Sequence, residues 1–250
     1  MSAARLAYVL RLADTNLILA QQLGALVGHA PSIEEDLGLA NTALDVLGQA
    51  RLLLSYAGEL EGLGRDEDQL AFVRDPADYL NLALAEQPNG DFAHTIVRQF
   101  LIDAWQRELY EELQRSQDER LAAIAAKALK ETRFHLRYSS GWVVRLGDGT
   151  PDSHGRMCAA LDALWPFTAE LFDADAVDQA MIDEAVAPDP ALIAPRWRAR
   201  VQAVLSEATL PMPEPARFGW YGKRGQHNEH FGHVLAELQF MQRAYPGARW

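Results

Sequence analysis

No proline interrupts the chain between Asn89 and Thr150. That run is dense in Ala, Leu, Lys and Glu, and it predicts long helices. Within it, KALKETRFHLRYSSGW (Lys127 to Trp142) puts Glu131 and His135 four residues apart, on one helical face. Lys127 stands one turn before them and Tyr138 one turn after. A carboxylate and an imidazole midway along a long helix suggest half of a metal site in a four-helix bundle. That half-site normally reads Glu-x-x-His. Three residues on from Glu131 stands Phe134, which binds no metal.

The rest of the chain divides at its glycines and prolines. A first helix is predicted over about Ala3 to Val27, ended by Gly28 to Pro31. Ser32 followed by Glu35 is a capping-box pattern that opens a second helix to about Glu61. Its stripe Asn41, Asp45, Gly48 and Gln49 is polar or small amid Leu39, Leu44, Val46, Leu47 and the leucines 52–54. Such a stripe predicts close helix approach or a hydrogen-bonded interior cluster. Gly62 to Asn89 is a crossover long enough to run the length of a bundle. Asp91 starts a third helix ending near Ser116, and Asp118 caps a fourth that stops at Gly147. Beyond it come a helix over Ser153 to Phe172 broken at Trp165-Pro166, a helix over Pro195 to Glu207, and a stiff Pro211 to Pro215 run. A glycine-rich loop at Gly219 to Gly225 and a last helix over Asn228 to Tyr245 follow. No segment alternates with period 2, so the fold class is all-α. The expected domain is one ferritin-like unit over 1–250, a core bundle at about 3–147 with additional C-terminal helices at about 153–245.

Net charge narrows the function classes. At -12 the chain is ill suited to nucleic acid or an anionic membrane. The single cysteine, Cys158, excludes an internal disulfide framework and fits a reducing cytoplasm. As a small apolar residue it is expected to be buried. Arg5, Arg11 and Asp14 break the first helix, which therefore reads as neither signal peptide nor membrane span. The expected localisation is cytoplasmic.

One acid falls near the middle of each of the first four helices: Asp14, Asp45, Asp103 and Glu131. The spacing within each pair suits two antiparallel helices joined by a short turn, with both acids at one height. Two such hairpins separated by a crossover match the layout of di-iron carboxylate proteins, whose helices supply four Glu and two His. Here three acids have shortened to Asp, and the two histidine positions are Gly48 and Phe134. His135 is one residue off, rotated about 100° around the helix. The expectation is a salt-bridged relic of a di-iron site with no metal and no cofactor, the plainer alternative being four partly exposed helix acids that never meet. Counter-charges would come from Arg11, Arg51, Arg107, Lys127 or His135.

Other ligand-type residues carry weaker signals. His227, His230 and His233 recur every third residue and drift around a helix, so capping by Asn228 and surface contact are expected there. Gly222-Lys223-Arg224-Gly225 lacks the spacing of a phosphate loop, leaving a minor contact with an anion as an alternative. Trp142, Trp165, Trp197, Trp220 and Trp250 are expected to be packing or interface residues.

The strings DLGLANTALDVLGQARLLLSYAGEL, LAEQPNGDFAHTIVRQFLIDAW, AAKALKETRFHLRYSSGWVVRLGDGT and GKRGQHNEHFGHVLAELQFMQR resemble the C subunits of bacterial phenylacetyl-CoA epoxidase complexes. The likeness extends over nearly the whole chain. It implies a ferritin-like, non-catalytic subunit of an oxygenase active in phenylacetate catabolism. It implies, as partner, a di-iron A subunit that this chain binds and stabilises in a hetero-oligomer, with other subunits of the complex as further partners. A homodimer is left open for the isolated chain, and no catalytic residue is carried over. Two rivals stay open: a di-iron oxidase or oxygenase with atypical ligands, and an acyl-CoA-binding protein using Lys223 and Arg224.

Overall fold

Two long antiparallel helical hairpins, separated by a crossover, carry the candidate residues. The computed structural model describes residues 3–214 and 219–248. Pro215 and Trp250, both singled out above, lie outside them. The described residues contain helices and no strand, apart from one isolated bridge between Tyr221 and Gln226. The chain is all-α, and its helix order is consistent with a ferritin-like helical fold. No helix among the described residues is long and apolar enough to cross a membrane.

The described residues form two compact units. The first comprises the described residues within 1–88 and 221–250. Its α1 (Ala3–Gly24) and α2 (Ile33–Glu61) form a hairpin. α1 stops three residues short of the expected end because tight turns take over at Leu26 and Val27. It is buried nearly all round, with Val9, Ala13, Ile18, Leu19 and Leu23 at 0% exposure. Such a helix is central, and its polar residues need partners inside the protein. α2 is amphipathic and sets its rotation by burying Leu39, Val46, Ala50, Leu53 and Leu54. That rotation differs from the expectation for its polar stripe. Asn41 is exposed, Asp45 and Gly48 are half-buried, and only Gln49 of the four is fully covered. Nothing lies within 4 Å of the place a Gly48 side chain would take, so this glycine does not mark a close helix approach. The capping box at Ser32 does not form either, since its hydroxyl turns to the carboxylates of Glu34 and Glu35. α2 ends at Gly62, whose φ of 70° is left-handed and whose N–H donates to the Gly58 carbonyl at 3.1 Å.

The crossover holds α3 (Glu67–Phe72), opened by an Asp66–Gln69 capping box, and a single 3₁₀ turn at Pro76–Asp78. Its continuation from Tyr79 through Gln87 is almost wholly buried. The C-terminal helix of this unit, α9 (Glu229–Ala244), is capped by Asn228 as expected and packs against α1 and α3.

The second unit comprises the described residues within 89–220. Its hairpin is α4 (Phe92–Leu113) and α5 (Glu119–Gly147), started by the side-chain caps Asp91 and Asp118 that the sequence predicts. α4 is the central helix here, while α5 buries one stripe through Leu121, Ala128, Thr132, His135, Ser139 and Val143. α6 (Pro151–Leu164) starts earlier than expected, because Thr150 caps it and Pro151 tolerates the first helical turn. At Trp165-Pro166 it breaks into a 3₁₀ stretch over Trp165–Phe172, as the proline requires. After α7 (Ala176–Asp183), α8 (Pro190–Glu207) begins well before the expected Pro195 and holds that proline inside. Capping by Asp189 and burial of Ile193 and Trp197 sustain the first turns despite the lost donor. The tryptophans pack: Trp165 and Trp197 lie 5.5 Å apart, Trp220 meets Phe167 at 4.5 Å, and Trp142 meets Phe92 at 5.2 Å. Cys158 is half-buried, not buried, because the interior face of α6 runs through Met157, Ala160, Leu161 and Leu164.

Candidate functional site

Asp14 is where the chemistry of the first unit concentrates. It stands midway along α1 at 0% exposure, so its charge must be balanced inside the protein. Arg74, at the end of α3 and itself 3% exposed, does this with both terminal nitrogens. Nη1 reaches Oδ2 at 3.0 Å and Nη2 pairs with Oδ1, a fork-to-carboxylate geometry. The Leu80 N–H donates to Oδ2 as well, at 2.9 Å. Two further Arg74 donors are used: Nε donates to the Leu70 carbonyl at 2.6 Å and Nη1 to the Asp78 carbonyl at 2.8 Å. The Tyr79 ring lies 4.1 Å from the guanidinium carbon. Burial works against the Arg74 charge, yet Asp14 beside it holds the guanidinium above its ordinary range. Burial also pushes the Tyr79 hydroxyl up to about 12, so Tyr79 stays neutral at physiological pH. Both Asp14 oxygens are therefore committed to this pair.

The expected counter-charges divide: Lys127 meets Glu131 at 3.5 Å and His135 neighbours Asp103, while the others make contacts elsewhere. Arg11 donates to the Lys223 carbonyl at 3.0 Å, Arg51 pairs with Glu67 on the surface at 3.1 Å, and Arg107 pairs with Glu108 and Glu111. The cation that matters is Arg74, sixty residues along from Asp14. Its sequence signal was the apolar run Leu70 to Val73 just before it. The half-buried Asp45 completes no cluster with it that could hold a metal.

In the second unit Asp103 is likewise at 0% exposure. The Ser139 hydroxyl donates to Oδ2 at 2.8 Å and the Gln99 amide to Oδ1 at 2.6 Å. Burial raises its carboxyl to about 6, against the pull of the neighbouring His135 and of those two hydrogen bonds. His135, 1% exposed, occupies the inner face of α5. Phe134 does not: at 51% exposure its ring faces outward, with the Arg137 guanidinium 5.3 Å from its centroid. Phe134, one of the two expected histidine positions, therefore lies on the outer side of α5. Thr132, Leu136 and Ser139 set the rotation of α5, and position 134 falls outside that stripe. Glu131 sits at the stripe's edge, half-buried, and pairs with Lys127 at 3.5 Å. A further buried cation that sequence reasoning passed over is Arg98, which donates to Asn89 Oδ1 at 2.6 Å and whose burial lowers it to about 10.

A second polar knot ties the C-terminal segment to the crossover. Buried Glu86 accepts from the Asn228 N–H at 2.9 Å and from Asn81 at 2.9 Å, and it meets His227 Nδ1 at 2.8 Å. His227 Nε2 lies 2.9 Å from the Tyr79 carbonyl, and its ring stacks on Phe231 at 3.9 Å. His227 thus serves as a structural bridge, a larger role than the surface contact expected of it. The Gly222 to Gly225 loop is packed likewise: Lys223 is buried, and Gly222 lies against the crossover backbone. A methyl group at position 222 would stand 2.4 Å from the Asn81 carbonyl oxygen and 2.7 Å from the Ala83 nitrogen. Gly222→Ala is accordingly expected to cost about 2 kcal/mol, read as a shift of the urea unfolding midpoint. Packed in this way, the loop serves as a strut.

The residues present do not fit a di-iron centre. Asp14 is closed off by Arg74, Gly48 has no donor atom, Phe134 points away, and Asp103 lies among Ser139, Gln99 and His135. Among the described residues no group of three or more His, Cys, Asp and Glu side chains is placed to hold a metal ion. With that geometry in view, comparison with known proteins is informative. The family model described as phenylacetic acid catabolic protein matches residues 1–250. A curated relative, the C subunit of the 1,2-phenylacetyl-CoA epoxidase of Escherichia coli (strain K12), is 54% identical over 244 residues, 98% of either chain. A match along the whole chain, and identity this high from end to end, mean that the chain belongs to the phenylacetic acid catabolic protein family.

Proposed function

We propose that this chain is a non-catalytic subunit of a phenylacetyl-CoA epoxidase, and that it binds and stabilises a di-iron catalytic homologue in a hetero-oligomer. The observation that carries this reading is the bidentate Asp14–Arg74 pair, which uses for folding the carboxylate that a metal would need. The relatedness to a protein named as the C subunit of a 1,2-phenylacetyl-CoA epoxidase supports a place in such a multisubunit assembly. On this reading the whole chain works as one ferritin-like domain in the cytoplasm.

The partner surface is supported by α2. Leu37, Leu44 and Leu47 follow one face of that helix at 60%, 66% and 44% exposure. Leu44 and Leu47 border a groove of about 400 Å³ with Leu17, Ala20 and Ala43 in its wall. Contiguous exposed leucines of this kind mark interaction surfaces, and a related helical bundle would cover them ridge into groove. A protein docked there would have its own ligand-bearing helices braced without receiving any chemistry from this chain.

Co-expression with the catalytic homologue tests this. The wild-type chain is expected to co-elute with it on size exclusion. Leu44→Asp combined with Leu47→Asp should abolish co-elution while leaving the unfolding midpoint nearly unchanged, since both side chains already face solvent. Separate elution of the wild-type chains would overturn the partner role, and near-stoichiometric iron in the isolated chain would overturn the non-catalytic one.

A further inference from the structure

A chain of net charge -12 is a poor place to find four arginines around one cavity, yet the second unit has such a place. Arg107 from α4, Arg133 and Arg137 from α5, and Arg200 from α8 line a cleft of about 290 Å³, with Leu136 and Val204 as its apolar floor. Two carboxylates answer these guanidinium groups. Glu108, whose side chain is 3% exposed, takes Arg200 at 2.7 Å and Arg107 at 3.3 Å. Glu111 takes Arg107 and Arg133, each at 3.2 Å. Arg137 has no carboxylate within salt-bridge distance among the described residues, and its guanidinium leans on the exposed Phe134 ring. Four cations against two anions leave a positive surplus at the mouth of the cleft, inside a molecule that is otherwise acidic. Anions are drawn to such a spot.

The shape of the cleft narrows the ligand. Its volume is at the low end for ligand pockets and suits one small charged group, not a whole cofactor. Guanidinium forks match tetrahedral oxyanions two bonds at a time, and they keep their charge at any physiological pH. Arg107 and Arg200 are held in place by Glu108, so part of the site is organised before anything binds.

We propose that the cleft between α4, α5 and α8 is an oxyanion site for a phosphate or diphosphate group, contacted by Arg133 and Arg137 and supported by Arg107 and Arg200. The site does not depend on the partner role proposed above, because binding is read on the isolated chain. Calorimetric titration of the full chain at low salt, with pyrophosphate and separately with coenzyme A, tests it. Saturable binding of either anion is expected. Arg133→Gln and Arg137→Gln should each weaken it about tenfold, the loss of one hydrogen bond to a charged group. Arg156→Gln should leave it unchanged, since that residue pairs with Asp91 and Asp152 elsewhere on the unit. Equal affinity for both anions would make free phosphate sufficient. Tighter binding of coenzyme A, reduced by Phe134→Ala, would assign the cleft to a nucleotide-linked phosphate. Absence of saturable heat with both anions, or affinity undiminished in both arginine variants, would sink the proposal.

Discussion

Arg74→Met is expected to lower the unfolding free energy by about 3–5 kcal/mol, the usual cost of leaving a buried charge without its partner. The side chain it removes is almost wholly enclosed and provides two of the hydrogen bonds that the Asp14 carboxylate accepts. It also satisfies the carbonyls of Leu70 and Asp78, so the crossover loses its anchor to α1 at the same time. Met has about the right length to fill the space, which confines the effect to charge and hydrogen bonding. Chemical denaturation followed by circular dichroism measures the loss. The double variant Asp14→Leu, Arg74→Met should recover most of it, because a matched apolar pair carries no stranded charge. A single variant within about 1 kcal/mol of wild type would show that Asp14 is neutralised in some other way.

Asp103 sets the second expectation, through pH. Its carboxyl is raised to about 6 in the folded protein by burial, above the ordinary value of 3.8. The folded state therefore holds a proton that the unfolded chain has already released between those two values. The stability contribution is present in full below about pH 4 and is lost as pH rises through about 6. At 1.36 kcal/mol per pH unit the loss amounts to about 3 kcal/mol by neutral pH. Asp103→Asn removes the ionisation while keeping a group that Gln99 and Ser139 can bond. Urea unfolding across pH 4.5 to 8 should find the stability of the variant relative to wild type rising by about 2 kcal/mol from the acid end to the neutral end. A difference independent of pH would mean that Asp103 does not titrate in this range. Glu61, held low by Arg65, and Asp91, held low by its bonds to His94, contribute with the opposite sign, but they do so equally in both proteins.

Much of the architecture was legible before any tertiary contact was known. Asp91, Asp118 and Asn228 each stand where a helix begins, and each accepts from backbone N–H groups of its own first turn. The break at Trp165-Pro166 follows from a missing amide hydrogen. Boundaries slipped where a tertiary anchor outweighed local preference, as at Pro195, which α8 absorbs because Ile193 and Trp197 are buried on either side. The candidate site was legible only in part. Asp14 and Asp103 are interior acids, as their positions predict, whereas Asp45 and Glu131 lie half-buried.

Helix order, capping and the location of acids along each helix are local properties, decided within a few residues by periodicity and backbone hydrogen bonding. The sequence by itself determined those, together with the absence of imidazoles three residues after Asp45 and Glu131. The rotation of each helix about its axis was decided by tertiary structure, since a turn of about 100° separates neighbouring residues and packing alone selects which of them faces inward. That rotation put His135 inside and Phe134 outside. The choice of Arg74 as the partner of Asp14 was decided there too, because charge pairing depends on distance in space and the chain must fold its crossover against α1 before the two can meet.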